Sequence, residues 1–210
     1  MPPELTAAME ATASAVFNAA TTTLLPQGLS PSPQVFVFDR LGGDRLVGQV
    51  TCRPYRRGQD AAVAIAELGR IAAGVVGTDL LVFWEEFDLR TSLYGSSEQH
   101  PKALVILQAT LQSHFLTWFP FESDVLSWRA NGLPDDVRIR RGAPTDTVEG
   151  AQLSEPIYRL LALWRAGIVA YDFDECRRIV TSAVKDGYDV SFVTSDEPNA
   201  DWEPASHSMM

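Results

Sequence analysis

The spacing of apolar and polar positions changes character several times along the chain. Between residues 3 and 24, apolar or small side chains recur at Leu5, Ala8, Met9, Thr12, Val16, Ala19, Ala20 and Thr23. That spacing approximates a helical stripe, and the threonine run at its end is expected to fray it. The next stretch, PQGLSPSP (26–33), holds three prolines and two serines, the composition of a linker. Residues 1–30 are therefore expected to form an N-terminal helical arm and linker. An exposed amphipathic arm buries itself against something, which points to self-association or a complex.

From residue 31 the pattern is that of a core. QVFVFDRL is apolar on both faces, and LGGDR supplies a glycine turn into LVGQVTCR. An antiparallel hairpin of strands near 34–40 and 46–53 follows. GQDAAVAIAELGRIAAGVVG reads as a helix over 60–76, with Asp60 as N-cap, Val63, Ile65, Leu68, Ile71, Ala72 and Val75 on its apolar face, and Gly77 as stop. TDLLVFWEE is a third strand (79–86). After the loop LRTSLYGSSEQHP, KALVILQA (103–109) and SHFLTWFPF (114–120) form a second hairpin. The order β-β-α-β-β predicts an α+β core over 31–122, a mixed sheet of four or five strands with one packed crossover helix. If the second and third strands are parallel neighbours, the crossover is right-handed.

Residues 123–193 carry a weaker signal, a loop with one short strand at 137–141 followed by a helical hairpin. SEPIYRLLALWRAG has Ser154 as cap, Pro156 in its first turn and Gly167 as stop. DFDECRRIVTSAVKDG has Asp172 as cap, Glu175 three residues later and Gly187 as stop, a capping box. Residues 194–210, TSDEPNADWEPASHSMM, contain four acidic residues, two prolines and no Lys or Arg, and read as a disordered acidic tail. Trp202 within it is the kind of aromatic that docking motifs use, though most tail aromatics have no such role.

Composition narrows the function classes. At 210 residues, 46% hydrophobic and 21% charged, the chain can bury a sizeable core. A formal net charge of −10 opposes binding to a phosphate backbone, which requires a basic surface. It leaves open a basic partner or a mimic of nucleic acid. Cys52 and Cys176 match no disulfide framework or zinc spacing and are expected to be buried, reduced thiols. No basic segment precedes the N-terminal apolar residues and no apolar run approaches a bilayer span. The expectation is a cytoplasmic protein without a membrane contact.

The chemistry-bearing residues concentrate at two strand ends. In a β-α-β unit with parallel strands, both carboxyl ends lie at one edge, where open sheets bind ligands. CRPYRRGQD then places Arg53, Arg56 and Arg57 beside Glu85, Glu86, Asp88 and Arg90 of WEEFDLR, next to a helix N-terminus that favours anions. One reading is a ligand-binding cleft in which Arg53, Arg56, Arg57 and Arg90 hold an anionic group. Glu86 and Asp88, on one face of an extended strand, would join His100 in acid–base work. The other reading is a set of salt bridges in which Glu86 or Asp88 pairs with Arg53, Arg56 or Arg57. The carboxylate–imidazole trio suits an oxygen-preferring ion, but arginine stands where a nuclease core has lysine, so no metal and no cofactor is expected. His114 reads as structural, and His207 lies in the tail. No G-x-S-x-G, phosphate loop or dinucleotide fingerprint occurs. Trp84, Phe87, Phe115, Trp118, Phe119 and Phe121 lack interleaved basic residues and read as core. The expectation is a non-catalytic protein, a regulatory, inhibitory or assembly subunit with a protein partner or a second copy of itself. The alternative is a small enzyme or ligand-binding domain at the strand ends.

Overall fold

The computed structural model describes residues 5–132, 134–170 and 172–193. Its strands are β1 (Gln34–Asp39), β2 (Arg45–Thr51), β3 (Asp79–Glu85), β4 (Ala103–Thr110), β5 (His114–Trp128), β6 (Pro134–Arg141), β7 (Val148–Glu149) and β8 (Asp189–Phe192). The helices are α1 (Ala7–Ala19), α2 (Gln59–Val75), α3 (Glu86–Tyr94), α4 (Glu155–Val169) and α5 (Phe173–Lys185). Among the described residues the strands form an eight-stranded sheet in the order β6-β5-β4-β3-β1-β2-β8, with β7 paired to β5. All of these pairings are antiparallel.

The α+β class agrees with the sequence, and the five expected strands are present. The sheet corrects the expectation in two respects, being antiparallel rather than mixed and larger than four or five strands. β2 and β3 run in the same direction but are not neighbours, because β1 lies between them and pairs with both. The reason is burial. Val35 and Val37 face one side of the sheet and Phe36 and Phe38 the other, all buried. A strand apolar on both faces belongs in the middle of a sheet. β2, half-buried along most of its length, takes a place nearer the edge. The turn residues Gly43 and Asp44 adopt positive φ, as the glycine-rich connection predicts.

One sheet face packs against α2 and α4, joining Val35, Val37, Leu80, Val82, Val105 and Leu107 to Ile65, Leu68, Leu160 and Trp164. Gly69 sets the approach of the two helices, since a Cβ there would overlap the Leu160 carbonyl. Gly167 does not stop α4, which continues to Val169. It lies against the Ala73 side chain instead. Asp172 caps α5 as expected, accepting from the Glu175 amide at 2.8 Å, and Gly187 follows its end with φ 93°. Ser154 occupies the N-cap of α4, but its hydroxyl makes no capping bond.

The opposite face is covered by α1. Met9 and Ala13 are buried with Phe36, Phe38, Leu81, Phe83, Leu104 and Ile106, so the expected arm is a layer of the molecule's own core. Thr6 caps the helix through the Met9 amide. The threonine run does not fray. Residues Ala20–Leu24 form one wide π-helical turn, in which the Thr21 and Thr22 hydroxyls donate to the carbonyls of Phe17 and Asn18 at 2.8 and 2.7 Å. The argument for association from an undocked arm therefore loses its premise. The acidic tail and Trp202 lie outside the described residues.

Past Pro120, the last residue of β5 paired to β4, β5 continues to Trp128 and pairs there with β6. This two-stranded ribbon was not anticipated beyond the short strand at 137–141. Val137 is buried and Ile139 packs toward the α1 side, while Arg140 pairs across the ladder with Glu122 and Asp124 at 3.1 and 3.2 Å.

If α1 is a core layer, Met9→Ala should destabilise the fold by about 2–5 kcal/mol, the usual range for emptying a buried methionine site. Urea denaturation measures this. A loss under about 0.5 kcal/mol, the size of a surface effect, would place α1 outside the core.

Candidate functional site

The corner where β2 and β3 end holds the charged residues singled out from the sequence, and local geometry assigns each a task. Cys52, the first residue after β2, is buried, and burial pushes its thiol up to about 12. A thiol held neutral in this way is a poor nucleophile. The following loop turns back into α2, whose N-cap is Gly58 with φ 83° rather than Asp60. Asp60 lies inside the first turn and closes the loop. Its carboxylate accepts two bonds from the Arg53 guanidinium, at 2.5 and 3.4 Å, and one from the Arg56 amide at 2.7 Å. The arginine and that amide hold its pKa down at about 2. Arg53 also lies 5.9 Å from the Tyr188 ring centroid. It is therefore engaged in positioning α2, whereas Arg56 and Arg57 are exposed.

At the end of β3 the chain does not continue as a strand. Glu85 is the N-cap of α3, accepting from the amides of Phe87 and Asp88 at 3.0 and 2.7 Å. The exposed Ser30 hydroxyl donates to the same carboxylate at 3.4 Å. Glu85 is buried, and burial raises its pKa to about 7 against the pull of those two amides. Glu86 opens the helix. Its carboxylate accepts from the Trp84 indole at 2.6 Å and from Arg90, one turn on, at 2.6 Å. Burial raises Asp88 above the ordinary carboxylate range, and the charge of Arg57 opposes that rise. The carbonyl of Ser92 accepts from the Gly58 amide at 2.7 Å, tying α3 to the start of α2.

Several expectations need correction here. Glu86 and Asp88 do not share the face of an extended strand, because both lie in a helix. Glu86 pairs with Arg90, not with Arg53, Arg56 or Arg57, and Asp88 makes no ion pair within 4.0 Å among the described residues. His100 does not join them. Its ring nitrogen lies 2.9 Å from the Gly95 carbonyl oxygen, and its ring meets Phe87 edge-on. Two further residues were overlooked in the sequence, Ser30 and Tyr55 of the loop into α2, whose half-buried hydroxyl lies at Ser92 of α3, and so was Glu85's role as cap. The spacing Glu85-x-x-Asp88, with an acidic cap at the end of an apolar run, was the available signal for α3.

A shallow cleft of about 240 Å³ lies away from this corner, between α2 and α5. Its charges are mutually engaged, with Arg70 bridging Glu67 and Glu175 at 3.2 and 3.4 Å and Arg178 reaching Glu175 at 2.8 Å. The Tyr188 hydroxyl beneath them donates to the Ala64 carbonyl at 3.0 Å. No group of His, Cys, Asp and Glu that could hold a metal ion occurs among the described residues, and no helix among them is long and apolar enough to cross a membrane. No family model, curated protein or solved structure matches the chain.

The Glu86 contacts separate two contributions. Glu86→Gln keeps an oxygen for the Trp84 indole and removes the charge facing half-exposed Arg90, so it should cost about 1 kcal/mol or less. Glu86→Leu strands the buried indole N–H and should cost about 1–3 kcal/mol more. Denaturation curves followed by tryptophan fluorescence rank the two variants. Equal losses would show that the indole bond contributes nothing.

Proposed function

We propose that this chain is a non-catalytic binding protein whose contact surface is the outer end of the β5–β6 ribbon and whose partner is another protein or a second copy of itself. The observation that carries the reading is a group of large apolar side chains left exposed there: Trp128 at 63%, Leu126 at 49% and Leu29 at 46%. Trp128 opposes Pro134 across the ladder. Gly28 lies against the same proline, which brings Leu29 to this end. Tryptophan is among the residue types that most often dominate protein interfaces. The employment of Glu85, Glu86, Arg53 and Asp60 in capping and clamping supports a structural rather than a catalytic role for the strand ends.

The test is a double variant, Leu126→Ser with Trp128→Ala, compared with the unmodified chain at matched thermal stability. Light scattering should report a lower mass if the partner is a second copy. Affinity capture should lose a defined partner, rebuilt from purified components, if it is not. Unchanged mass together with unchanged capture would remove the ribbon from the proposal.

A second reading rests on Arg56 and Arg57, exposed and without an ion pair among the described residues, at the start of α2, which has no side-chain cap. In this reading they hold an anionic group. Inorganic phosphate should then raise the melting temperature of the unmodified chain and not that of the Arg56→Ala, Arg57→Ala variant. An equal response, or none in either, would dismiss it.

A further inference from the structure

Glu85 joins three separate pieces of the chain at one carboxyl group. It ends β3, caps α3 through the Phe87 and Asp88 amides, and receives Ser30 from the segment that leads from α1 into β1. It is 3% exposed, and among the described residues no Lys, Arg or His lies within ion-pair distance of it. The surrounding groups do not compensate. Asp88 of α3 and Tyr55 of the β2–α2 loop face it, and Cys52 lies beside Tyr55. The charge of Arg57 acts on Asp88 without forming an ion pair with it. From the β4 side Lys102 is engaged with the Ser123 hydroxyl at 2.8 Å and reaches over the Phe87 ring. His100 bonds the Gly95 carbonyl. Glu86 is held by Trp84 and Arg90. A carboxylate so placed is desolvated without a counter-ion.

We propose that Glu85 is a pH-sensitive latch: carrying its proton it keeps α3 and the 28–33 segment closed on the end of β3, and on ionising it loosens both. A protonated carboxyl keeps one amide bond at its carbonyl oxygen and a weaker one at its hydroxyl oxygen, so the closed arrangement survives protonation. The ionised form gains more from water than from two amides and a hydroxyl. The sign follows from the geometry, since burial with no cation in reach disfavours the charged form, and the folded value of about 7 accordingly stands above the ordinary 4.5. Closure is favoured fully below the ordinary value, weakens as pH rises between the two, and stays at its weakest above the folded value. Through the Ser92–Gly58 bond, loosening of α3 reaches the start of α2, where Arg56 and Arg57 lie.

Amide hydrogen exchange at Phe87 and Asp88, corrected for intrinsic rates, tests this in the full chain. Protection should fall about tenfold or more between about pH 5.5 and about pH 8.5 in the unmodified protein, one pKa unit being a factor of ten. In Glu85→Gln, which is neutral throughout, it should stay within about twofold over the same range. Constant protection in the unmodified chain, or the same decline in the variant, would overturn the latch. Should the variant not fold, the Glu85 carboxyl carbon shift in the unmodified protein decides: a midpoint near 7 supports the latch, and one near the ordinary 4.5 overturns it.

Discussion

The need to cover both faces of the central strands governs this molecule. β3 is buried at all seven positions, and β4 at all but its last. Antiparallel sheets commonly leave one face to water, but Phe36, Phe38, Leu81, Phe83, Leu104 and Ile106 make that impossible here. The chain meets the requirement with α2 and α4 on one side and α1 on the other. At about 25 cal/mol per Å² of apolar surface, uncovering six large side chains would cost more than the net stability of an ordinary domain. The position of β1 between β2 and β3 follows from the same demand, as does the docking of α1.

Burial also disposes of the charges at the strand ends. A carboxyl leaving an apolar strand must find hydrogen bonds or stay neutral. Glu85 finds the first amides of α3, and Glu86 finds an indole and an arginine one helical turn away. Asp60 performs the corresponding task for the loop into α2, with Arg53 as its clamp. The result is a corner rich in ionisable groups whose bonds are mostly directed at the chain itself. Large apolar side chains are left exposed elsewhere, among them Leu126 and Trp128 on the ribbon that outruns β4 and Val169 and Phe173 at the facing ends of α4 and α5.

Legibility in the sequence followed how local each determinant is. The five central strands, α2 and the two C-terminal helices were readable because their apolar periods, glycine turns and Asp172 cap act within a few residues, whereas the packing of α4 on α2 rather than as a hairpin with α5 was not. The placement of α1 was not, since its small, weakly amphipathic face matches the sheet only once Phe36, Phe83 and Leu104 are assembled beneath it. α3 was hidden because no glycine, proline or other turn signal separates the apolar run ending at Trp84 from Glu85 and Glu86, so the strand reading carried over onto Glu86 and Asp88. The outer half of β5, FESDVLSW, mixes charged, polar and apolar residues without a regular period and is held by cross-strand pairing with the charged β6, a register invisible from either strand alone. Within the site, Arg53, Arg56, Arg57, Glu86 and Asp88 follow the ends of β2 and β3, which run in the same direction with β1 between them rather than as neighbours. Their pairing was not legible, because it depends on a helix where a strand was expected.

Removing residues 1–30 examines the two-faced core most directly. The shortened chain retains every strand and lacks only the layer that covers one face. It should lose its cooperative urea transition and bind a hydrophobic dye in the absence of denaturant, as a chain with an uncovered apolar sheet does. A cooperative transition at the midpoint of the full chain, without dye binding, would contradict the account.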